Sequence, residues 1–216
     1  EISRGDWSSD VCSSDLNGLL FRYPELKNIP RAGIVHRLDK DTSGIVLVAK
    51  TEKFRNYFVH LLQERKVKKN YKAIVVGKII GSFEIDEPIG RDIKNRTKMS
   101  VRPDGKEAYS FVKLEESYQN YSLLDISIKT GRTHQIRVHL SSKKLPIIGD
   151  KTYNPSKHIA KDTPNDLVDV IRNFPRQALH SSQLSFEHPN SNEVLTFNAP
   201  MHEDMKNLID SFKKHI

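Results

Sequence analysis

The sequence predicts an α+β protein built on a mostly antiparallel β-sheet. Two observations favour this class. Residues 71–77 (YKAIVVG) form a short β-branched apolar run, and residues 121–130 alternate apolar and polar side chains as a half-buried strand does. Turn sequences fall between such runs, so successive strands are expected to form hairpins. Strand patterns outnumber helix patterns, and no internal repeat is visible.

Two helices are predicted together with their ends. Thr51 can cap a helix whose apolar positions recur at helical spacing, namely Phe54, Tyr57, Phe58, Leu61 and Leu62. A C-terminal helix has acidic residues in its first turn, lysines in its last turn, and one apolar face formed by Met205, Leu208, Ile209 and Phe212. Shorter helices are predicted over residues 134–141 and 166–173.

Three further predictions complete the sheet. Residues 44–49 (GIVLVA) are an uncharged β-branched run, which is typical of a buried strand. Hairpins are predicted for two pairs of segments, 98–102 with 108–114 through a turn at 103–106, and 178–186 with 194–198.

The charge balance indicates a polyanionic partner. The chain has 35 basic and 27 acidic residues, a net charge of +8. Nucleic acid is favoured over a membrane, because no polybasic run flanks an apolar helix and no apolar run is long enough to span a bilayer. The single cysteine excludes an internal disulfide framework and suits a reducing compartment, so a cytoplasmic protein is expected.

The first sixteen residues differ from the rest. They repeat a Ser-Ser-Asp unit and hold the only Trp and the only Cys (EISRGDWSSDVCSSDL). The segment resembles translated adapter sequence at the ends of metagenomic reading frames, so residues 1–16 are expected to be a non-native leader; the alternative is a natural flexible tail. Without them 34 basic and 23 acidic residues remain, and a net charge of +11 strengthens the prediction of a polyanionic partner.

The first chemical cluster lies directly before the apolar run at residues 44–49. Five polar residues occupy six positions: His36, Arg37, Asp39, Lys40 and Asp41. Asp39 stands beside two cations, which favour the ionised form of a carboxylate, and such a carboxylate at a strand edge is a candidate nucleophile or general base. The same residues also fit a solvated turn in which Asp and Thr cap backbone groups, and both interpretations stay open.

A second polar cluster occupies residues 129–140 (KTGRTHQIRVHL). Arg132 and Arg137 offer planar guanidinium groups for a carboxylate or a phosphate near a helix N-terminus; a solvated helix start with scattered cations is the alternative. His134 and His139 are five residues apart, a spacing that separates them on a helix. No Cys or nearby carboxylate completes a ligand set, so no metal site is expected.

Together the two clusters resemble a known family. The segments HRLDKDTSG, at residues 36–44, and KTGRTHQIRVHL are similar to the two major motifs of RluA-type pseudouridine synthases. RsuA-type relatives have a glycine where this chain has His36, which favours the RluA branch. The resemblance begins near Asn17 and runs to the C-terminus. Further matching residues are Tyr71, Ile148-Gly149-Asp150 before Tyr153, Gln177-Ala178-Leu179-His180 and His188-Pro189.

This resemblance implies the pseudouridine synthase catalytic fold, a mainly antiparallel mixed β-sheet flanked by helices and loops, with a central active-site cleft. It implies an enzyme that isomerises uridine to pseudouridine in RNA, with large-subunit ribosomal RNA as the expected substrate. No cofactor, metal or membrane partner is expected, and we expect a monomer. A non-catalytic RNA-binding or rRNA-folding module that keeps the pocket is the alternative.

The matching positions imply roles for individual residues. Asp39 matches the catalytic aspartate that acts at the ribose C1′, Arg132 the arginine that pairs with it, and Tyr71 the active-site tyrosine. Arg37 matches the residue that fills the vacancy when the target nucleotide is flipped out. The other substrate-binding candidates are His36 and Thr42, with Ile136 and Leu140 expected to line the uracil pocket.

Two segments typical of the family are not found before the first motif. One is a strand-rich segment with a Lys-Pro-Xaa-Gly motif, and the other is the S4 RNA-binding domain that many members carry. Residues 17–216 are therefore expected to be a catalytic domain that lacks its N-terminal portion and any S4 domain.

Overall fold

A computed structural model describes residues 13–215. These residues divide into two compact units, the first formed by residues 13–69 and 181–200 and the second by residues 70–180 and 201–215. Most of the leader predicted for residues 1–16 lies outside the described residues. The predicted α+β class with a mostly antiparallel sheet is confirmed. Between residues 13 and 215, every helix is too short or too polar to cross a membrane.

The described residues form five α-helices and nine strands. The helices are α1 (Ser13–Arg22), α2 (Glu52–Gln63), α3 (Gln135–Ser142), α4 (Asn165–Arg172) and α5 (Glu203–Lys213). The strands are β1 (Ser43–Gly44), β2 (Lys68–Val76), β3 (Ser82–Asp86), β4 (Ile89–Arg91), β5 (Met99–Val101), β6 (Tyr109–Tyr118), β7 (Tyr121–Ile128), β8 (Leu179–Glu187) and β9 (Val194–Asn198).

The first unit packs α2 against the hairpin of β8 and β9. These two strands pair antiparallel, as predicted. Thr51 Oγ1 accepts a hydrogen bond from the Phe54 N–H at 3.2 Å, so the predicted cap of α2 is confirmed. The apolar face of α2 joins the hairpin in one cluster, where Phe58 lies edge-on to Phe186 with 5.0 Å between the ring centroids.

In the second unit the strands follow the order β2, β7, β6, β3. Strand β6 pairs antiparallel with both β3 and β7 and has an irregularity between Leu114 and Glu116. Helix α5 packs on this sheet through Phe212, whose ring stacks on Tyr118 and lies 4.8 Å from the ring of Tyr121. The predicted apolar face of α5 is buried, which confirms that helix.

The hairpin predicted across the turn at residues 103–106 is wrong, although the turn itself is present. Gly105 N–H donates to Arg102 O at 2.9 Å, but β5 pairs with β4, and β6 lies between β3 and β7. The turn folds onto β4 because Lys106 and Ile89 exchange backbone hydrogen bonds. A Cβ on Gly105 would lie 2.6 Å from the Ile89 backbone, so only glycine allows this approach.

The buried strand predicted over residues 44–49 is wrong in its length and burial. Only Ser43–Gly44 pairs as a strand, and the four residues after it are half-buried. Their backbone groups make scattered hydrogen bonds instead of a strand ladder, and Ile45 N–H donates to Ser181 O at 3.1 Å. Leu47 N–H donates to a side chain, His36 Nε2, and Val48 forms only an isolated bridge. The β-branched run therefore belongs to a loop that folds back on itself.

Candidate active site

The Asp39 motif lies on a loop of the first unit that closes between Gly33 and Ala49. Ala49 N–H donates to Gly33 O at 2.8 Å, and Ile34 and Val48 form an antiparallel bridge beside it. Gly33 has a φ of +75°, and a Cβ there would lie 2.0 Å from Ala49 O. Glycine is therefore required at this closure, which fixes both ends of the loop.

His36 braces the loop from within. Its Nε2 accepts the Leu47 N–H at 2.8 Å, so the neutral ring carries its proton on Nδ1. Burial, with a further contribution from the positive charge of Lys69, lowers the pKa of His36 to about 4. The ring thus has a structural hydrogen bond, and the substrate contact expected of His36 stays a prediction.

Asp39 occupies the first position of a four-residue turn. Thr42 N–H donates to Asp39 O at 3.0 Å, and Asp41, the third residue, has a φ of +65°. A positive φ at the third position is the requirement of a type II turn, and Asp is among the few residues besides glycine that adopt it. Asp39 is half-buried, Thr42 is buried and Arg37 is exposed. The backbone of this segment therefore forms a turn, which was one of the two interpretations of the sequence. The turn fixes the position from which the Asp39 side chain projects.

Gly44 ends the motif against strand β8. Its φ is +118°, and a Cβ there would lie 2.2 Å from Ser181 O. Ile45 N–H donates to the same oxygen at 3.1 Å. Any larger residue at position 44 would push the loop away from β8, so this glycine allows the short distance between the loop and the strand.

In the second unit, Arg132 occupies the first position of a similar turn. Gln135 N–H donates to Arg132 O at 3.1 Å, and the third residue, His134, has a φ of +56°. Because a left-handed residue cannot belong to an α-helix, α3 begins at Gln135, one residue later than predicted. Arg132 Nε donates to Glu107 O at 2.8 Å, whereas its terminal amino groups make no hydrogen bond within the described part of this unit.

Gln135 anchors this turn in the core. Its Oε1 accepts from Thr130 Oγ1 at 2.8 Å and from the Arg132 N–H at 3.0 Å. Its Nε2 donates to Tyr109 O at 2.9 Å and to Ser110 Oγ at 3.1 Å. The residue is 3% exposed, so both oxygen lone pairs and both N–H groups are satisfied without water. Sequence reasoning missed this role, because one polar residue at a helix start does not indicate what it contacts.

Arg137 binds a carboxylate of its own unit. Its Nε and Nη2 donate to the two oxygens of Asp150 at 2.7 and 2.9 Å. The side chain of Arg137 is 6% exposed and that of Asp150 is 0% exposed. The N–H groups of Thr152 and Tyr153 donate to the same carboxylate. Burial by itself raises the pKa of Asp150, but Arg137 and these N–H groups hold it below its usual value. Of the two targets left open for Arg137, the structure therefore selects a carboxylate.

The structure divides the eight candidate residues between the units. Four lie on the closed loop of the first unit: His36, Arg37, Asp39 and Thr42. Four lie in the second unit: Tyr71, Arg132, Ile136 and Leu140. Tyr71 on β2 and both residues of α3 are buried, while Arg132 is half-buried. Their parts in a reaction stay predictions.

A comparison with known families matches the region that contains both turns. The family model described as RNA pseudouridylate synthase matches residues 11–142. The chain belongs to this family. The resemblance of its two motifs to pseudouridine synthases is thereby confirmed, and Asp39, Tyr71 and Arg132 all lie within the matched residues.

Members of the pseudouridylate synthase family from several bacteria are similar to this chain. A ribosomal large subunit pseudouridine synthase D from Vibrio cholerae is 46% identical over 190 residues, which cover 88% of this chain and 59% of that protein. The protein of the same name from Neisseria meningitidis is 46% identical over 206 residues, which cover 95% and 54%. The chain thus spans between about half and three fifths of the length of these relatives.

Solved structures of the pseudouridylate synthase family have the same fold. Human RNA Pseudouridylate Synthase Domain Containing 1 matches with a TM-score of 0.68 at 23% identity, over 98% of this chain and 93% of that chain. Human RNA Pseudouridylate Synthase Domain Containing 4 matches with a TM-score of 0.68 at 23% identity, over 83% and 75%. The pseudouridine synthase fold expected from the motifs is confirmed.

The anchoring role of Gln135 predicts a large loss of stability on Gln135→Met. The variant keeps the side-chain volume but leaves Thr130, Ser110 and the backbone at Arg132 without their partner, so we expect a loss of about 2–4 kcal/mol in the free energy of unfolding. Gln183→Met is the matched control, since Gln183 makes an exposed bond to Asn198, and it should cost less than about 0.5 kcal/mol. Equal losses in urea unfolding would contradict the anchoring role.

The lowered pKa of His36 predicts that stability falls on mild acidification. The unfolded chain binds the proton near pH 6.5 and the folded chain only near pH 4, so protonation favours the unfolded state and stability is lost as the pH falls through this window. The full shift corresponds to about 3 kcal/mol.

The test compares the pH dependence of urea unfolding between wild type and His36→Gln, which offers an oxygen acceptor that does not titrate. The slope between pH 6.5 and 4 should be shallower in His36→Gln, with a remainder from His139, whose pKa is also lowered by burial. His60→Gln, at an exposed site, should keep the wild-type slope. Identical slopes for wild type and His36→Gln would show that His36 does not brace the loop.

Proposed function

We propose that the chain contains the catalytic part of an RNA pseudouridine synthase that converts uridine to pseudouridine in large-subunit ribosomal RNA. Family membership supports the reaction, and the names of relatives that are 46% identical support the substrate. The net charge of +8 suits a polyanionic partner. We infer further that the protein acts as a monomer, without a cofactor, in the cytoplasm, where bacterial ribosomal RNA is modified.

The reaction exchanges one glycosidic bond for another. The N1–C1′ bond of uridine breaks, the uracil turns, a C5–C1′ bond forms, C5 loses its proton and N1 gains one. Atoms and electrons balance without an oxidant or reductant, so acid–base and electrostatic groups are sufficient. A carboxylate beside C1′ can bond to, or stabilise, the electron-poor carbon that remains when uracil leaves.

The placement of Asp39 is the observation that carries the proposal. Asp39 is half-buried and begins a turn that is closed by the Thr42 N–H and by the left-handed Asp41. The loop around it is braced by His36 and closed at its base. Attack at a single carbon atom needs a carboxylate held within a fraction of an ångström, and a fixed backbone supplies that.

We assign Arg132 as the partner of the Asp39 carboxylate. Its Nε bonds to Glu107 O, which orients the guanidinium and leaves its terminal amino groups for a carboxylate. A neighbouring arginine keeps a carboxylate ionised in a pocket from which water is excluded. Tyr71 then stacks on the uracil or accepts a proton, and the buried side chains of Ile136 and Leu140 supply apolar walls.

We assign Arg37 to the space that the target nucleotide vacates. Chemistry on the uridine requires that it leave its stack, and a long side chain that fills the gap lowers the cost of that step. Arg37 is exposed, as this role requires, whereas Thr42 on the same loop is buried. We place His36 and Thr42 as residues that support the substrate-facing side of the loop.

Asp39→Asn should abolish isomerisation while RNA affinity stays within about threefold, because the amide keeps the size of the carboxylate but neither bonds to nor stabilises the ribose carbon. The assay is release of tritium from C5 of uracil in a ribosomal RNA transcript incubated with the 216-residue chain. Asp41→Asn is the matched control, since Asn tolerates the left-handed backbone at that position, and it should retain activity.

The same assay separates the two candidate classes. Tritium release by wild type and none by Asp39→Asn supports the synthase. Tight RNA binding with no release by wild type would support a non-catalytic RNA-binding module instead. Release by Asp39→Asn at the wild-type rate would remove Asp39 from the reaction.

Arg132→Ala should lower the single-turnover rate nearly as far as Asp39→Asn does, because the carboxylate loses its partner charge. Arg132→Lys should recover only part of the rate, since lysine restores the charge but not the fork that binds both carboxylate oxygens. Rates are compared at saturating RNA, so that weaker phosphate contacts do not contribute. A near-normal rate for Arg132→Ala under these conditions would assign Arg132 to phosphate binding.

A further inference from the structure

The hairpin formed by β4 and β5 has a positively charged tip. The hairpin tip, residues 91–98 (RDIKNRTK), contains four basic residues and one acidic residue, a net charge of +3. Arg91, Lys94 and Arg96 are exposed, and none of the three forms an ion pair with a residue that the structure describes. A concentration of positive charge of this kind attracts anionic ligands.

The single acidic residue of the hairpin tip is used within the tip. Asp92 Oδ1 accepts the N–H groups of Lys94 at 2.9 Å and of Asn95 at 2.8 Å. The Asn95 N–H, with a smaller contribution from the charge of Lys98, holds the pKa of Asp92 below its usual value. The carboxylate therefore closes the loop and offsets Lys98, and the other three cations stay available for a ligand.

Side-chain hydrogen bonds hold the hairpin tip in one conformation. Arg91 Nη1 donates to Arg96 O at 2.8 Å. Asn95 Oδ1 accepts both the N–H of Thr97, at 3.0 Å, and its hydroxyl, at 2.6 Å. A surface that is ordered before binding loses little conformational entropy when a ligand arrives, so the cations of the tip are preorganised.

The base of the hairpin is anchored in the second unit. Met99 N–H, in strand β5, donates to Tyr153 Oη at 3.0 Å, and the Met99 side chain packs in an apolar cluster with Val138 of helix α3. The same helix carries Ile136 and Leu140, the two residues expected to line the uracil pocket. A ligand bound at the hairpin tip is thereby held on the unit that contains these residues.

Ile93 is an apolar side chain among the cations of the hairpin tip. It is 78% exposed, and Lys94 follows it directly in the chain. Nucleic-acid-binding proteins use exposed isoleucine and similar side chains as wedges against bases, and RNA is recognised mainly where its bases are unstacked. Cations and an exposed apolar side chain on one ordered loop therefore fit a single-stranded RNA segment, which offers both phosphates and bases.

We propose that the hairpin tip is an RNA-binding surface separate from the candidate active site. Arg91, Lys94 and Arg96 bind phosphates of a single-stranded segment that flanks the target uridine, and Ile93 packs against an unstacked base of that segment. The inference rests on the proposed function, which supplies the RNA. The hairpin tip contributes affinity for the substrate and takes no part in the exchange of bonds at the ribose.

The double variant Lys94→Ala/Arg96→Ala tests the phosphate contacts through filter binding of a ribosomal RNA transcript at several salt concentrations. Loss of two contacts to single-stranded RNA should make the slope of log K against log salt shallower by about 1.4, and affinity at low salt should fall at least about tenfold. Lys206→Ala/Lys213→Ala is the matched control, because it removes the same charge from two lysines of α5 that each pair with a glutamate. Its slope should equal that of wild type.

Ile93→Ser tests the apolar contact by itself. At high salt, where phosphate contacts are weak, the dissociation constant for RNA should rise about threefold to tenfold. Ile80→Ser is the matched control, since Ile80 is 97% exposed on the connection between β2 and β3, and its dissociation constant should stay within about twofold of wild type. Equal effects of the two serine variants would remove Ile93 from the RNA-binding surface.

Binding and tritium release separate this inference from the proposed function. If wild type releases no tritium, the proposed function fails while the binding comparisons still test the hairpin tip. If wild type is active and the two double variants lose affinity equally, or not at all, the RNA-binding surface at the tip fails and the proposed function stands. Equal binding of polyglutamate and RNA by wild type, lost alike in Lys94→Ala/Arg96→Ala, would assign the tip to acidic proteins instead.

Discussion

The two residues on which the proposed reaction depends share one backbone constraint. Asp39 and Arg132 each begin a four-residue turn that is closed by a hydrogen bond from the fourth N–H, and in each the third residue has a positive φ, +65° at Asp41 and +56° at His134. Such a conformation costs about 1–3 kcal/mol at a residue with a side chain and persists only where the surroundings impose it. The two turns are therefore rigid. Backbone strain of this kind is common at functional sites, where a side chain must be held in one orientation.

Two neutral polar side chains, the half-buried His36 and the buried Gln135, hold these two segments in place. His36 accepts the Leu47 N–H inside the first loop, and Gln135 fills all of its hydrogen-bonding positions beneath the second turn. A buried donor or acceptor left without a partner costs about 1–3 kcal/mol, so each network favours one arrangement over its neighbours. Part of the polarity of the two motifs is thus structural, because His36 and Gln135 bond to backbone groups of their own segments.

The sequence predicted the regular elements that have a local cause. The Thr51 cap and the apolar stripes of α2 and α5 follow from spacing within the helix itself. The predictions failed where the conformation depends on a partner elsewhere in the chain. Residues 44–49 look like a strand, but the Leu47 N–H bonds to His36. The turn at Gly105 closes onto β4, because only glycine fits against Ile89. The motifs identified the family and nominated Asp39, yet no spacing rule could reveal that Gln135 holds the second turn.

In the proposed reaction the position of the Asp39 carboxylate, and not its charge alone, makes the site reactive. Asp39→Glu tests this directly, because it keeps the charge and moves the carboxylate outward by one methylene from the same turn. Conversion of uridine to pseudouridine can be followed by chromatographic separation of the nucleosides, which have equal mass, after digestion of the RNA. We expect a single-turnover rate at least about a hundredfold below wild type, with unchanged RNA affinity. A rate within about tenfold of wild type would contradict it.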